Sequence, residues 1–151
     1  MHTDLSNGAA WMRGHIIPIE DAKIGVFDWG LTHSDMVYVV VPVREGGFFR
    51  LQDDLARFSA SLSDTRMNVG LSGEDIEHAL HSMVGATGLR AAYVAMVAAR
   101  GTPLIPGGRD PRDCANHFYA WCVPYVHVIK PEVAEAGADV LPSDAVRRIP
   151  E

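Results

Sequence analysis

Residues 23–62 read KIGVFDWGLTHSDMVYVVVPVREGGFFRLQDDLARFSASL. Within them, 35–44 (DMVYVVVPVR) is dense in β-branched side chains, which suit a pleated, half-buried surface. A Glu45-Gly46-Gly47 turn follows, and 48–51 returns, so the two runs predict a hairpin. From 52 to 66 the period changes. Leu55, Phe58 and Leu62 fall at helical spacing and give one apolar face.

The flanks extend this pattern. Upstream, 10–13 and 15–19 read as two short strands around Gly14, with Pro18 suited to an edge or strand end. Downstream, a second helix is predicted over 73–87. Ser72 is its N-cap, Asp75 completes a variant capping box, Gly88 is its stop, and Ile76, Leu80 and Met83/Val84 form its stripe. Residues 89–100 read as a strand punctuated by Gly88 and Gly101, and 102–112, with three Pro and two Gly, as a loop. The aromatic, β-branched run 117–129 is a strand in which Pro124 implies a bulge or an edge, and 140–149 is a further strand. Grouped rather than alternating elements predict an α+β fold: a mainly antiparallel sheet with two helices packed on one face.

The chain has 151 residues, 48% hydrophobic and 21% charged, enough for one domain with a core. A net charge of −6 argues against nucleic-acid or anionic-membrane partners, while a local phosphate site stays compatible with it. No 18-residue apolar run and no signal-peptide pattern occur, so the expected location is the cytoplasm. Cys114 and Cys122 form no C-x-x-C and read as small buried residues in a reducing compartment.

Few residues suggest chemistry unaided. His33-Ser34-Asp35 is no catalytic triad, because consecutive side chains diverge along a strand. His78 and His81 sit at i,i+3 with no carboxylate-rich partner motif, so a solvated helix face is preferred to a metal site and no metal is expected. Arg57 is either an exposed or snorkelling arginine on an amphipathic helix or an anion clamp whose planar fork matches phosphate. The two lysines, Lys23 and Lys130, read as solvated surface charges.

Taken in order, Asp28-x-Gly30, the strand, the Gly hairpin, Phe49-Arg50-Leu51 and the helix with Arg57-Phe58 and Ser61 resemble the opening of class IV (fold type IV) pyridoxal-phosphate (PLP) aminotransferases. With His33, Tyr38, 116–132 (NHFYAWCVPYVHVIKPE) and 147–151 (RRIPE), the likeness is greatest to the (R)-selective amine transaminase and branched-chain aminotransferase branch, over about residues 10–151. The resemblance implies that residues 1–135 are the family's N-terminal small domain and 136–151 an interdomain segment. It implies PLP as cofactor, with Arg57 binding its phosphate, and His33, Tyr38, Val40, Tyr93 and Arg109 as substrate-binding residues. An amine or amino acid and a keto acid are the implied small-molecule partners, and a homodimer the implied assembly. Where the family's helix carries a His, this chain has Asp54, which opposes anion binding unless it points away or pairs with Arg57. The family's Schiff-base lysine lies beyond the RRIP segment, and neither Lys23 nor Lys130 matches it. No catalytic residue is therefore expected within these 151 residues, and the chain alone is expected to be inactive. The alternatives are a non-catalytic binding or scaffold domain and a class IV lyase of the aminodeoxychorismate lyase kind.

Overall fold

The computed structural model describes residues 4–137, 139 and 141. Its centre is a six-stranded sheet in the order β2-β1-β6-β5-β3-β4, every neighbour antiparallel. The strands are β1 (Ala9–Met12), β2 (His15–Pro18), β3 (Met36–Arg44), β4 (Gly47–Phe48), β5 (Ala92–Pro103) and β6 (Cys114–Pro124). The helices are α1 (Trp29–Thr32), α2 (Leu51–Asp64), α3 (Gly73–Thr87) and α4 (Pro131–Ala136).

Alternation along β3 sorts the two faces of the sheet. Val37, Val39, Val41 and Val43 are buried, whereas Met36, Tyr38, Val40 and Pro42 are exposed or half-buried. The buried set joins Val94, Met96 and Ala98 of β5 and Phe118, Ala120 and Cys122 of β6 in one core. Leu51, Leu55 and Phe58 of α2 and Ile76, Leu80, Met83 and Val84 of α3 close it, so both predicted helices pack on one face. Phe58 meets Phe118 edge-on at 6.0 Å. Pro42 sits within β3 at no cost to the β5 ladder: its carbonyl accepts from the Phe49 N–H, so its missing donor faces the short β4 side.

Beyond shifts of one or two residues at other ends, the predicted boundaries differ from the observed ones in the hairpin return, β5 and β6. The hairpin return stops at Phe48, because Arg50 adopts a left-handed conformation (φ 55°) and turns the chain into α2. β5 continues to Pro103 through a bulge between Ala99 and Thr102. Gly101 (φ 78°) is required there, since a Cβ would lie 1.8 Å from the Ala115 carbonyl oxygen. β6 begins at Cys114 and ends at Pro124, which stops the ladder rather than bulging it. The short α1 and α4 were not expected. α3 matches its predicted bounds, with both bonds of the Ser72–Asp75 capping box formed and Gly88 left-handed. Apart from residue 141, the expected strand over 140–149 lies outside the described residues, as does most of 136–151.

One buried cation ties three elements together. Arg100, 7% exposed, donates from Nε and Nη2 to the Asp35 carboxylate at 2.8 and 3.2 Å. It also donates to the Thr65 and Arg66 carbonyls beyond the end of α2, at 2.9 and 3.4 Å. Those carbonyls belong to a helix terminus that lacks intrahelical donors and favours positive charge. Arg100→Ala is expected to destabilise the fold by about 3 kcal/mol, and Arg100→Lys by less, because removing one partner strands a partly buried carboxylate. Urea denaturation measures both; an unchanged midpoint for Arg100→Ala would refute the clamp.

Candidate functional site

The helix-free face of the sheet carries the candidate site. Segment 19–32 crosses it, and α1 rests so closely on β5 that a Cβ on Gly30 would lie 2.9 Å from the Ala99 Cβ. Asp28 fixes this placement. Its buried carboxylate caps α1 by accepting from the Gly30 N–H at 2.7 Å, and accepts from Nε2 of His117 on β6 at 2.5 Å. At the other end of α1, the His33 ring packs tilted against Trp29 (centroids 4.6 Å apart, planes at 32°) and shares a hydrogen bond with the Thr32 hydroxyl.

His33, Trp29, Gly107, Gly108 and Arg109 line one concavity of about 580 Å3. The structure therefore brings His33 and Arg109 together from distant points in the sequence. Arg109 makes no ion pair among the described residues, in contrast to Arg112, which holds Asp110 at 2.5 Å and keeps that carboxyl down at about 2. Of these two arginines, Arg109 is the one whose guanidinium is open to a ligand.

Further along the same face, Tyr38 of β3 and Tyr93 of β5 share a hydrogen bond between their hydroxyls at 2.9 Å. Tyr93 also stacks on Trp121 of β6, 5.5 Å between centroids and 26° between planes. Val40, half-buried and paired with Ala95, lies on this face between the tyrosine-bearing positions. Burial, and then the Tyr93 hydroxyl beside it, push Tyr38 up to about 12. Tyr119 is raised as well, by burial and by the negative charge of Asp28. At neutral pH this wall offers neutral hydroxyls and ring faces.

Arg57 stands apart from these groups, on α2. Its side chain is 58% exposed and lines none of the concavities named here. Nη2 donates to Asp54 at 2.7 Å, so the two alternatives for Asp54 resolve into pairing. That bond uses one guanidinium nitrogen and leaves Nε and Nη1 available, which fits a phosphate binding beside the carboxylate. His78 and His81 contact Ser82, Glu77 and Phe48 along the α3 surface.

Sequence reasoning missed the Asp28–His117 bond, Trp121 and the buried Arg100. Asp28 entered the sequence reading only within the Asp28-x-Gly30 motif, because the short α1 that it caps was not foreseen. His117 and Trp121 become legible once 117–123 is set in register, because odd positions then share the helix-free face.

No family model matches this chain. It is 27% identical over 141 residues, 93% of its length, to a Methanocaldococcus jannaschii protein named as a candidate branched-chain-amino-acid aminotransferase, of which it covers 46%. It is 27% identical over 90 residues to the D-alanine aminotransferase of Listeria monocytogenes, covering 60% of this chain and 31% of that protein. The chain thus spans between about a third and a half of these curated relatives. A branched-chain amino acid aminotransferase from T.th., solved with pyridoxamine 5'-phosphate, superposes with a TM-score of 0.71 at 25% identity, over 80% of this chain and 41% of that one. The Escherichia coli branched-chain enzyme shares the fold at TM-score 0.70 and 19% identity. A six-stranded antiparallel sheet with two helices on one face, matched in sequence along nearly all of its length, makes this chain similar to the N-terminal domain of fold type IV aminotransferases.

Proposed function

We propose that this domain serves a PLP-dependent aminotransferase that moves an amino group between an amine or amino acid and a keto acid. The observation that carries this is the convergence of distant residues on one face of the sheet: His33 with Arg109 in one concavity, and Tyr38 with Tyr93 beside it. When bound, PLP supplies the electron sink for breaking bonds at the amino-bearing carbon. This chain's contribution is binding and orientation. Arg57 would hold one side of the phosphate with the guanidinium edge that Asp54 leaves free. Arg109 offers a cation for a substrate carboxylate, with the His33 imidazole as its neighbour. Tyr38, Tyr93 and Val40 form a neutral wall that suits an uncharged substituent, since a second charge there would be desolvated without a counter-ion.

The same proposal includes a homodimer and a cytoplasmic location; the free thiols of Cys114 and Cys122 agree with a reducing compartment. It assigns the Schiff-base lysine to residues other than Lys23 and Lys130. Lys23 is exposed and lines the far side of the face, by β1 and β6, and Lys130 is exposed before α4.

Three outcomes follow. The 151-residue chain, given PLP, an amine donor and a keto acid, is expected to form no aminated product by chromatography; sustained turnover sinks the lysine assignment. In a protein carrying both domains, Arg57→Ala is expected to raise the Kd for PLP by about tenfold or more, with only partial recovery in Arg57→Lys, because a point charge lacks the bidentate fork. Equilibrium dialysis decides it, and an unchanged Kd removes Arg57 from the phosphate site. Finally, Tyr38 titrates above the ordinary tyrosine range, so its stabilising effect is complete below about pH 10 and is lost as pH rises toward about 12. In ultraviolet pH titration, Tyr38→Phe is expected to delete the highest-titrating phenol; loss of an ordinary one near about pH 10 would contradict the hydroxyl–hydroxyl pair.

A further inference from the structure

The far side of the helix-free face, by β1 and β6, holds two concavities with a common wall. One, of about 350 Å3, is apolar and aromatic, formed by Met12, Ala22, Ile24, Tyr119, Trp121 and their neighbours. The other, of about 320 Å3, shares Met12, Lys23 and Ile24 with it and adds Arg13, Asn116 and His117. Among the described residues, neither Arg13 nor Lys23 makes an ion pair or a side-chain hydrogen bond. The one carboxylate in the wall, Asp28, is already engaged by the Gly30 N–H and His117.

Arg13 and Lys23 thus bring positive charge to the edge of an apolar concavity with no carboxylate in the wall left to neutralise it. Aromatic and aliphatic walls favour a hydrocarbon body, and a few convergent polar groups at one end fix its orientation. Arg13 and Lys23, both exposed at the rim, select the sign of the head group by attracting negative charge. We propose that the joined concavities bind an amphipathic small-molecule carboxylate. Its apolar body lies against Met12, Tyr119 and Trp121, and its carboxylate sits between Arg13 and Lys23. The site is separate from the His33–Arg109 concavity and from Arg57, and it does not rest on the aminotransferase proposal. It does touch that wall mechanically, because Trp121 lines the new site and stacks on Tyr93.

Isothermal titration of the 151-residue chain with octanoate, octan-1-ol and acetate tests it. Octanoate is expected to bind saturably at one site, octan-1-ol about tenfold more weakly or worse, and acetate not measurably. The double variant Arg13→Gln/Lys23→Gln is expected to weaken octanoate about tenfold and leave octan-1-ol unchanged. Ala22→Phe, which fills the apolar half, should weaken both, with circular dichroism confirming that each variant is folded. Should Ala22→Phe unfold, the surface double variant still decides. Absent saturable octanoate binding, equal binding of octan-1-ol, or octanoate binding untouched by the double variant would each overturn the proposal.

Discussion

The burial of a single guanidinium organises this domain. Arg100 occupies the point where β5 ends its regular run, where β3 begins and where α2 has run out of partners for its carbonyls. A buried arginine is stable only if its donors are matched, and here a carboxylate and two backbone oxygens match them. The backbone N–H of Arg100 also bonds to the Asp35 carbonyl, so side chain and main chain close the same junction. α1 reaches this corner too, through the Asp35 N–H donating to the Trp29 carbonyl. The α1 turn that carries His33 is thereby tied to the Arg100–Asp35 pair.

The two faces of the sheet divide the work. Aliphatic residues on the inner face, packed against α2 and α3, supply the stability of the domain. The outer face collects rings and hydroxyls that pair with one another: Tyr38 with Tyr93, Tyr93 with Trp121, and His117 with Tyr119 at 5.7 Å. Such pairings restrict the rotamers of large side chains before any ligand arrives and lower the ordering cost of binding.

How much of this could be read in the chain itself depended on the range of the interaction. The β-branched density of β3, the stripe of α2 and the capping box of α3 are local patterns, and they predicted the strand and the two helices, while grouped elements pointed to a sheet with both helices on one face. The resemblance pointed to His33, Tyr38, Tyr93 and Arg109, but only folding puts His33 beside Arg109 and joins the two tyrosine hydroxyls. Arg100 looked like the end of an apolar run, because its partners lie 34, 35 and 65 residues away. Pro124 carried a correct local rule, yet the irregularity went to Gly101, where contact with Ala115 on the neighbouring strand leaves no space for a side chain.

That extra residue in β5 resets the parity of the strand. Up to Ala99 the odd positions look outward, but Thr102 is the residue set opposite Ala115, so beyond the irregularity the even positions take the outward role. The glycine-rich loop that brings Arg109 to His33 is thereby decoupled in phase from the aliphatic half of β5. A one-residue insertion or deletion in that loop changes its reach without exchanging core for surface, whereas the same change between Ala92 and Ala99 would turn core side chains outward and their aromatic neighbours inward.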